Sequence, residues 1–243
     1  SMGGAQTPRP TPPGVLAESR FVPLVVRWSV PLSAPPVSSP VIAGETIVVP
    51  LQSGRVVALR ITDGKPKWHS DVPIERPISA DADRVYVPSA DAIQALDLTT
   101  GAPQWRAETG SLTAPPPVHA GWVVTAATGN LSAFRASDGS AVWQRNLGAI
   151  EFRPAIEGDF LFVPLVEGPL VCLSLQTGDP IWERDLGGSP GEPIAIAGRV
   201  YVGAADKYFY VLDATNGEIP WRRRVGAAPR GQAALDQDHI YLV

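Results

Sequence analysis

The side chains best suited to chemistry are few in this sequence and lie far apart. Three histidines, His69, His119 and His239, and one cysteine, Cys172, could supply nitrogen or sulfur ligands to a metal. Their spacings match neither a cysteine cluster nor a His-Glu-x-x-His motif, and a single cysteine cannot form an intrachain disulfide. We therefore interpret each as a loop, strand or packing residue, and we predict no catalytic residue and no metal.

Charge and glycine patterns also argue against several classes of binding site. The chain has 20 Lys and Arg against 24 Asp and Glu, a net charge of -4. The short basic run at 222–224 is interpreted as a solvated outer strand, so we predict no nucleic-acid partner. The segment "LGGSPGEP" at 186–193 lacks the Gly-Lys-Ser/Thr ending of a phosphate-binding loop and predicts a linker.

A tryptophan that follows a glycine by four residues recurs at a fixed period. The Trp-to-Trp spacings are 37, 38, 39 and 39, which is typical of a repeat architecture. The five pairs are Gly64 and Trp68, Gly101 and Trp105, Gly139 and Trp143, Gly178 and Trp182, and Gly217 and Trp221.

Each repeat divides into four short extended segments separated by turn residues. Within one unit these are "AVWQRNL", "FRPAIEG", "DFLFVPL" and "PLVCLSL", all rich in β-branched or aromatic residues. A turn residue precedes the second strand of each unit: Gly44, Asp83, Gly121, Gly158, Gly198 and Asp238. Four short antiparallel strands about every 38 residues predict an all-β chain folded as a β-propeller.

The repeat spelling resembles that of the quinoprotein-type, or PQQ-like, propellers, A-x-D-x-x-T-G-x-x-x-W. Residues 95–105, "ALDLTTGAPQW", match every specified position, and residues 211–221 match closely. The other repeats replace the aspartate by Arg60, Arg135 or Ser174. The resemblance implies that each tryptophan docks on the glycine turn of the neighbouring blade, and that Asp97 and Asp213 form hydrogen bonds at their turns.

The repeats divide the chain into a tether and a propeller. We expect a cloning remnant and a Pro-rich disordered tether at 1–20, followed by the propeller at 21–243. The predicted blades are 38–73, 74–110, 111–148, 149–187 and 188–226, with a partial blade at 227–243 and a lone strand at 24–32. The family most often has seven or eight blades, so we expect a segment of a longer ring whose incomplete edges favour self-association.

The resemblance implies three possible kinds of function. Quinoprotein dehydrogenases of this fold bind pyrroloquinoline quinone and calcium over the channel, but no ligand set aligns onto this chain. Glu75, Glu151 and Glu192 lie near the predicted channel mouth and could bind a cation, although solvent-facing loops explain them more simply.

The chain is also similar to the BamB-type propellers of outer-membrane assembly. We therefore expect a non-enzymatic scaffold of the periplasm or cell envelope, without cofactor, that binds an unidentified protein. A dehydrogenase fragment and an extracytoplasmic ligand-sensing propeller are the alternatives.

Overall fold

A computed structural model describes residues 25–235 and 239–242. The predicted tether at 1–20 and the predicted turn residue Asp238 lie outside the described residues. All regular structure in the described part is β-strand, with no helix that could cross a membrane. This confirms the all-β prediction.

Five four-stranded antiparallel sheets follow one another along the chain, each with its strands in sequence order. Blade 1 contains β1 (Val41–Ala43), β2 (Thr46–Leu51), β3 (Arg55–Arg60) and β4 (Pro66–Asp71). Blade 2 contains β5 (Ser79–Ala80), β6 (Arg84–Pro88), β7 (Ala92–Asp97) and β8 (Pro103–Glu108). Blade 3 contains β9 (Val118–His119), β10 (Trp122–Ala127), β11 (Asn130–Arg135) and β12 (Ala141–Asn146). Each strand set falls inside the range that the repeats predict.

The remaining strands continue the same pattern. Blade 4 contains β13 (Ala155–Glu157), β14 (Phe160–Pro164), β15 (Leu170–Ser174) and β16 (Pro180–Arg184). Blade 5 contains β17 (Ile194–Ile196), β18 (Arg199–Gly203), β19 (Tyr208–Asp213) and β20 (Trp221–Arg224). A two-stranded sheet of β21 (Ala234–Leu235) and β22 (Ile240–Tyr241) follows. The first strands of neighbouring blades lie beside each other, as a radial arrangement requires.

Burial explains why the second strand of each blade is mostly apolar. Every residue of β10 is buried, and β6 and β14 are buried except at their first residue, because both faces of each blade pack against neighbouring blades. The outer strands alternate instead: β4 and β12 each have one fully buried residue, the tryptophan. The core is therefore a series of layers between blades.

The predicted strand at 24–32 differs from the structure. Residues 25–32 have no strand pairing, and Pro31, Pro35 and Pro36 remove backbone donors from this part of the chain. The segment is held mainly by side chains, because Trp28, Val30 and Leu32 pack on buried residues of blade 1. It covers the face of blade 1 that does not pack on blade 2, without joining the sheet.

Candidate functional site

The indole rings and the glycine turns meet at every junction between consecutive full blades. The four turn glycines have positive φ between 67° and 74°, and a Cβ added to any of them would lie under 3.0 Å from a tryptophan ring. The contacts join Trp68 to Gly101, Trp105 to Gly139, Trp143 to Gly178 and Trp182 to Gly217. Glycine is required at these turns for two reasons: the backbone is left-handed, and the tryptophan ring lies too close to leave room for a side chain.

Each of these indoles also donates a hydrogen bond to the next blade. Trp68 Nε1 donates to the Leu98 carbonyl at 2.8 Å, and Trp143 Nε1 donates to the Leu175 carbonyl at 2.8 Å. Trp105 and Trp182 make the corresponding bonds at 2.9 and 3.0 Å. The acceptor is always the carbonyl three residues before the turn glycine. The tryptophan thus binds main-chain groups, which do not depend on the side chains of the partner blade.

The first and last of these tryptophans depart from the regular pattern. Trp28 has no glycine turn before it, yet its ring lies on Gly64 and its Nε1 donates to the Ile61 carbonyl at 2.9 Å. Trp221 is 43% exposed, and no described glycine lies against its ring. The described residues therefore form five such contacts, one of them through a segment that is not a strand.

The two aspartates of the repeat motif hold their turns by hydrogen bonds. Asp97 accepts bonds from the Thr99 and Thr100 backbone and from the Thr100 hydroxyl. Asp213 accepts equivalent bonds from Thr215 and pairs with Arg199 at 2.7 Å. These donors hold the pKa of both carboxyl groups below its usual value, the threonine hydrogen bonds contributing most.

A second hydrogen bond of the turn is accepted by the side chain just before the glycine, as by the Thr100 hydroxyl from the Ala102 backbone at 3.3 Å. Asp63 accepts from the Lys65 backbone and Asp138 from the Ser140 backbone, both two residues away. In blade 4 the Thr177 hydroxyl accepts from the Asp179 backbone at 3.3 Å. Of the three residues that replace the motif aspartate, only Ser174 accepts the corresponding bond, from the Thr177 backbone at 3.3 Å, because an arginine side chain has no acceptor.

Two arginines that the repeat spelling did not single out reinforce the later junctions. Arg145 donates to the Gly178 and Thr177 carbonyls at 3.1 and 3.0 Å and pairs with Asp179 at 2.8 Å. Arg184 donates to the Gly217 carbonyl at 2.8 Å. Each arginine follows a docking tryptophan by two residues. The spacing of two residues between tryptophan and arginine can be seen in the sequence. Only the hydrogen bonds to glycine carbonyls 33 residues away show that these arginines connect neighbouring blades.

The three predicted channel-mouth glutamates do not come together. Glu75 and Glu151 are exposed, and Glu192 is partly buried. Burial raises the pKa of Glu192, with an opposing effect from Arg153, and burial lowers the pKa of Arg153. No cluster of three or more His, Cys, Asp or Glu side chains occurs among the described residues.

The remaining candidates for chemistry occupy ordinary positions. His69 and His119 are exposed on β4 and β9, and His239 is exposed beside Tyr241. Cys172 is fully buried opposite Trp182, and burial raises the pKa of its thiol to about 12. The glycine-rich stretch 186–193 connects β16 to β17 as an inter-blade linker.

Two open grooves lie at the junction of blades 4 and 5. One, of about 820 Å³, is lined by Glu167, Glu183, Asp185 and the linker residues up to Ser189. The other, of about 660 Å³, is lined by Arg184, Arg199, Asp213 and Glu218. Ile181, 45% exposed, lies on β16 of the same junction. The junction thus presents charged and apolar groups on a broad surface.

The family model described as outer membrane protein assembly factor BamB matches residues 25–90, 89–151 and 127–243. The chain belongs to the BamB family. The crystal structure of BamB from Moraxella catarrhalis is 22% identical, with a TM-score of 0.70 over 89% of this chain and 72% of that one. No curated protein sequence matches the chain.

Other solved structures share the fold at greater distance in sequence. The computationally designed Ika8 protein is 13% identical, with a TM-score of 0.71 over 84% of this chain and 66% of that one. The quinohemoprotein alcohol dehydrogenase of Comamonas testosteroni is 17% identical, with a TM-score of 0.62 over 86% of this chain. The chain spans 46% of that dehydrogenase.

The residues present do not fit the calcium and quinone of such dehydrogenases. Calcium takes six to eight oxygen ligands, whereas Glu75, Glu151 and Glu192 are not gathered into one site among the described residues. The charge that lowers the pKa of Glu192 is that of a cation, Arg153, and not that of a further oxygen ligand. We derive no chemical step through a quinone in this BamB-family chain.

Proposed function

We propose that this chain is a non-enzymatic protein-binding scaffold of the bacterial periplasm or cell envelope. The observation that carries the proposal is the match of residues 25–243 to the model of an outer-membrane assembly factor. A BamB-type fold supports protein–protein interaction in general, because a propeller presents loops and edges on a rigid body. The partner is proposed to be a component of outer-membrane protein assembly.

The junction of blades 4 and 5 is the surface we assign to this contact. Its two grooves are lined by carboxylates and guanidinium groups. The exposed side chain of Ile181 lies outside them, on the same strand as Glu183 and Arg184 of their walls. Such a mixture of an apolar contact with a charged rim is typical of protein interfaces. The backbone beneath it is fixed by Trp182 and Arg184, so binding would require little ordering of the scaffold.

Site-specific photo-crosslinking in intact envelopes tests this proposal. A photoreactive residue at Ser189, in the larger groove, is expected to form an adduct with an outer-membrane assembly component. The matched control is the same residue at the exposed Ser140 in the turn of blade 3, which is expected to give none. Equal adducts at both positions, or none with any assembly component, would reject the proposed surface and partner.

The purified protein supplies an independent test of the non-enzymatic assignment. Mixed with pyrroloquinoline quinone, calcium and an alcohol, it is expected to reduce an artificial electron acceptor no faster than the mixture without protein. Protein-dependent reduction that saturates with alcohol concentration would contradict the scaffold proposal and favour a dehydrogenase.

A further inference from the structure

The outer strands of blades 4 and 5 carry opposite charges at equivalent positions. Side chains alternate between the two faces of a strand. On the face of β16 opposite Trp182 lie Glu183 and, at the next alternate position just after the strand, Asp185, and both are exposed. On β20 the equivalent positions are Arg222 and Arg224, which are exposed as well. Each molecule therefore has an acidic outer strand on one blade and a basic outer strand on the next.

The outer strands of the other three blades do not show this pattern. In blade 2 the equivalent positions hold Arg106 and Glu108, which pair with each other at 3.3 Å. In blade 1 they hold His69 and Asp71, and Asp71 pairs with Arg55 at 2.7 Å. In blade 3 both positions hold amides. Among the five outer strands that the structure describes, like charges at both positions thus occur on β16 and β20 alone.

Two like charges on one face of a strand repel each other. Alternate residues of a strand lie about 7 Å apart, which is within the Debye length of about 8 Å at physiological salt. A strand of opposite charge that lies against them replaces this repulsion by attraction. Both strands are available for such a contact, because each is the last strand of its sheet and every residue of β20 is exposed.

The chain itself contains the complement of each strand. Contact of β16 with a second β16 places carboxylate against carboxylate, and contact of β20 with a second β20 places guanidinium against guanidinium, so pairs of identical strands are disfavoured. Contact of β16 with β20 is favoured, because a guanidinium can form two parallel hydrogen bonds with a carboxylate. Since the two strands belong to neighbouring blades, two copies related by a two-fold axis can form both contacts at once.

We propose that two copies of this chain associate through these strands, with β16 of each copy facing β20 of the other. Glu183 and Asp185 of one copy then contact Arg222 and Arg224 of the second. Exposed ion pairs are individually weak and are screened by salt, so the association is weak and is lost at high ionic strength. Glu183 and Asp185 also line the larger groove. Self-association therefore covers part of the surface proposed for the protein partner, although it does not depend on that partner.

Charge reversal followed by sedimentation velocity over a concentration series tests this proposal. One variant combines Glu183→Arg with Asp185→Arg, and the other combines Arg222→Glu with Arg224→Glu. Each variant alone presents like charges at both contacts, so it is expected to associate at least about tenfold more weakly than the native protein. An equimolar mixture of the two variants is expected to associate again, because both contacts are then complementary.

A control variant separates this contact from a general effect of net charge. Glu45→Arg combined with Glu75→Arg changes the net charge as much as the first variant does, at exposed positions away from both strands, and is expected to associate like the native protein. A native protein that does not associate, undiminished association of either reversal variant, or a mixture that stays monomeric would overturn the proposal. If a variant fails to fold, native association that does not weaken with added salt overturns it instead. None of these outcomes bears on crosslinking at Ser189, which tests the partner contact separately.

Discussion

Substituting alanine for two glycines with the same backbone conformation isolates the energy of a single blade junction. Gly178 and Gly198 both have a φ of +72°. A Cβ at Gly178 would lie 2.7 Å from the Trp143 ring, whereas nothing lies within 4 Å of a Cβ at Gly198. The pair therefore separates the strain of a left-handed residue from the clash with the indole.

The expected magnitudes follow from these two terms. An alanine with a left-handed backbone lowers the free energy of unfolding by about 1–2 kcal/mol, and both variants carry this cost. Gly178→Ala adds the overpacking against Trp143, about 1–3 kcal/mol, for a total of about 2–5 kcal/mol. Gly198→Ala is expected to lower the free energy of unfolding only by the strain of the left-handed backbone.

Equilibrium unfolding in urea measures both variants, and a double-mutant cycle checks the cause. In a Trp143→Ala background, Gly178→Ala is expected to cost no more than about 1–2 kcal/mol, because the ring that it displaces is gone. Gly198→Ala is expected to cost the same in both backgrounds. Equal losses for the two glycine variants in the native background would refute the reasoning that the indole contact, and not the turn itself, holds the blades together.

Four further outcomes follow from the described contacts. Trp143→Ala is expected to destabilise by about 3–5 kcal/mol and Trp221→Ala by less than about 1 kcal/mol; superimposable melting curves for the two would contradict this. Arg184→Gln removes a charged donor from the glycine carbonyl of the next blade and is expected to lower the free energy of unfolding, measured in urea, by about 1–2 kcal/mol. An unchanged free energy of unfolding would show that water replaces the guanidinium. Cys172 is expected to resist iodoacetamide at about pH 8 until urea unfolds the protein, because burial raises the pKa of its thiol to about 12; rapid labelling of the native protein would be inconsistent with that burial. The pKa of Asp97 is lowered in the folded state, so its contribution to stability is present above the unfolded pKa and is lost as the pH falls through the folded pKa. Asp97→Asn is therefore expected to make the free energy of unfolding depend less on pH at acid pH. An unchanged pH dependence would argue against this linkage.

The sequence predicted the architecture because the blade-forming information is local and repeated. Gly139 and Trp143 stand four residues apart in the chain, and the same pair recurs at a nearly constant period. Turn chemistry and strand length are likewise properties of short segments, which explains why five four-stranded sheets could be predicted from spacing alone.

The contacts that escaped prediction depend on residues far apart in the chain. Arg184 reaches a carbonyl 33 residues away, and its spacing from the tryptophan is shared by only some blades. Trp28 has no glycine before it, so the repeat spelling gave no reason to place its ring on Gly64.

The hydrogen bonds of the indoles have a consequence for how this architecture can change. Trp143 and its equivalents contact a peptide carbonyl and a residue that has no side chain, so this one contact between blades does not depend on the neighbour's side chains. A blade could therefore be duplicated, exchanged or changed in sequence at other positions while its tryptophan contact with the next blade is kept.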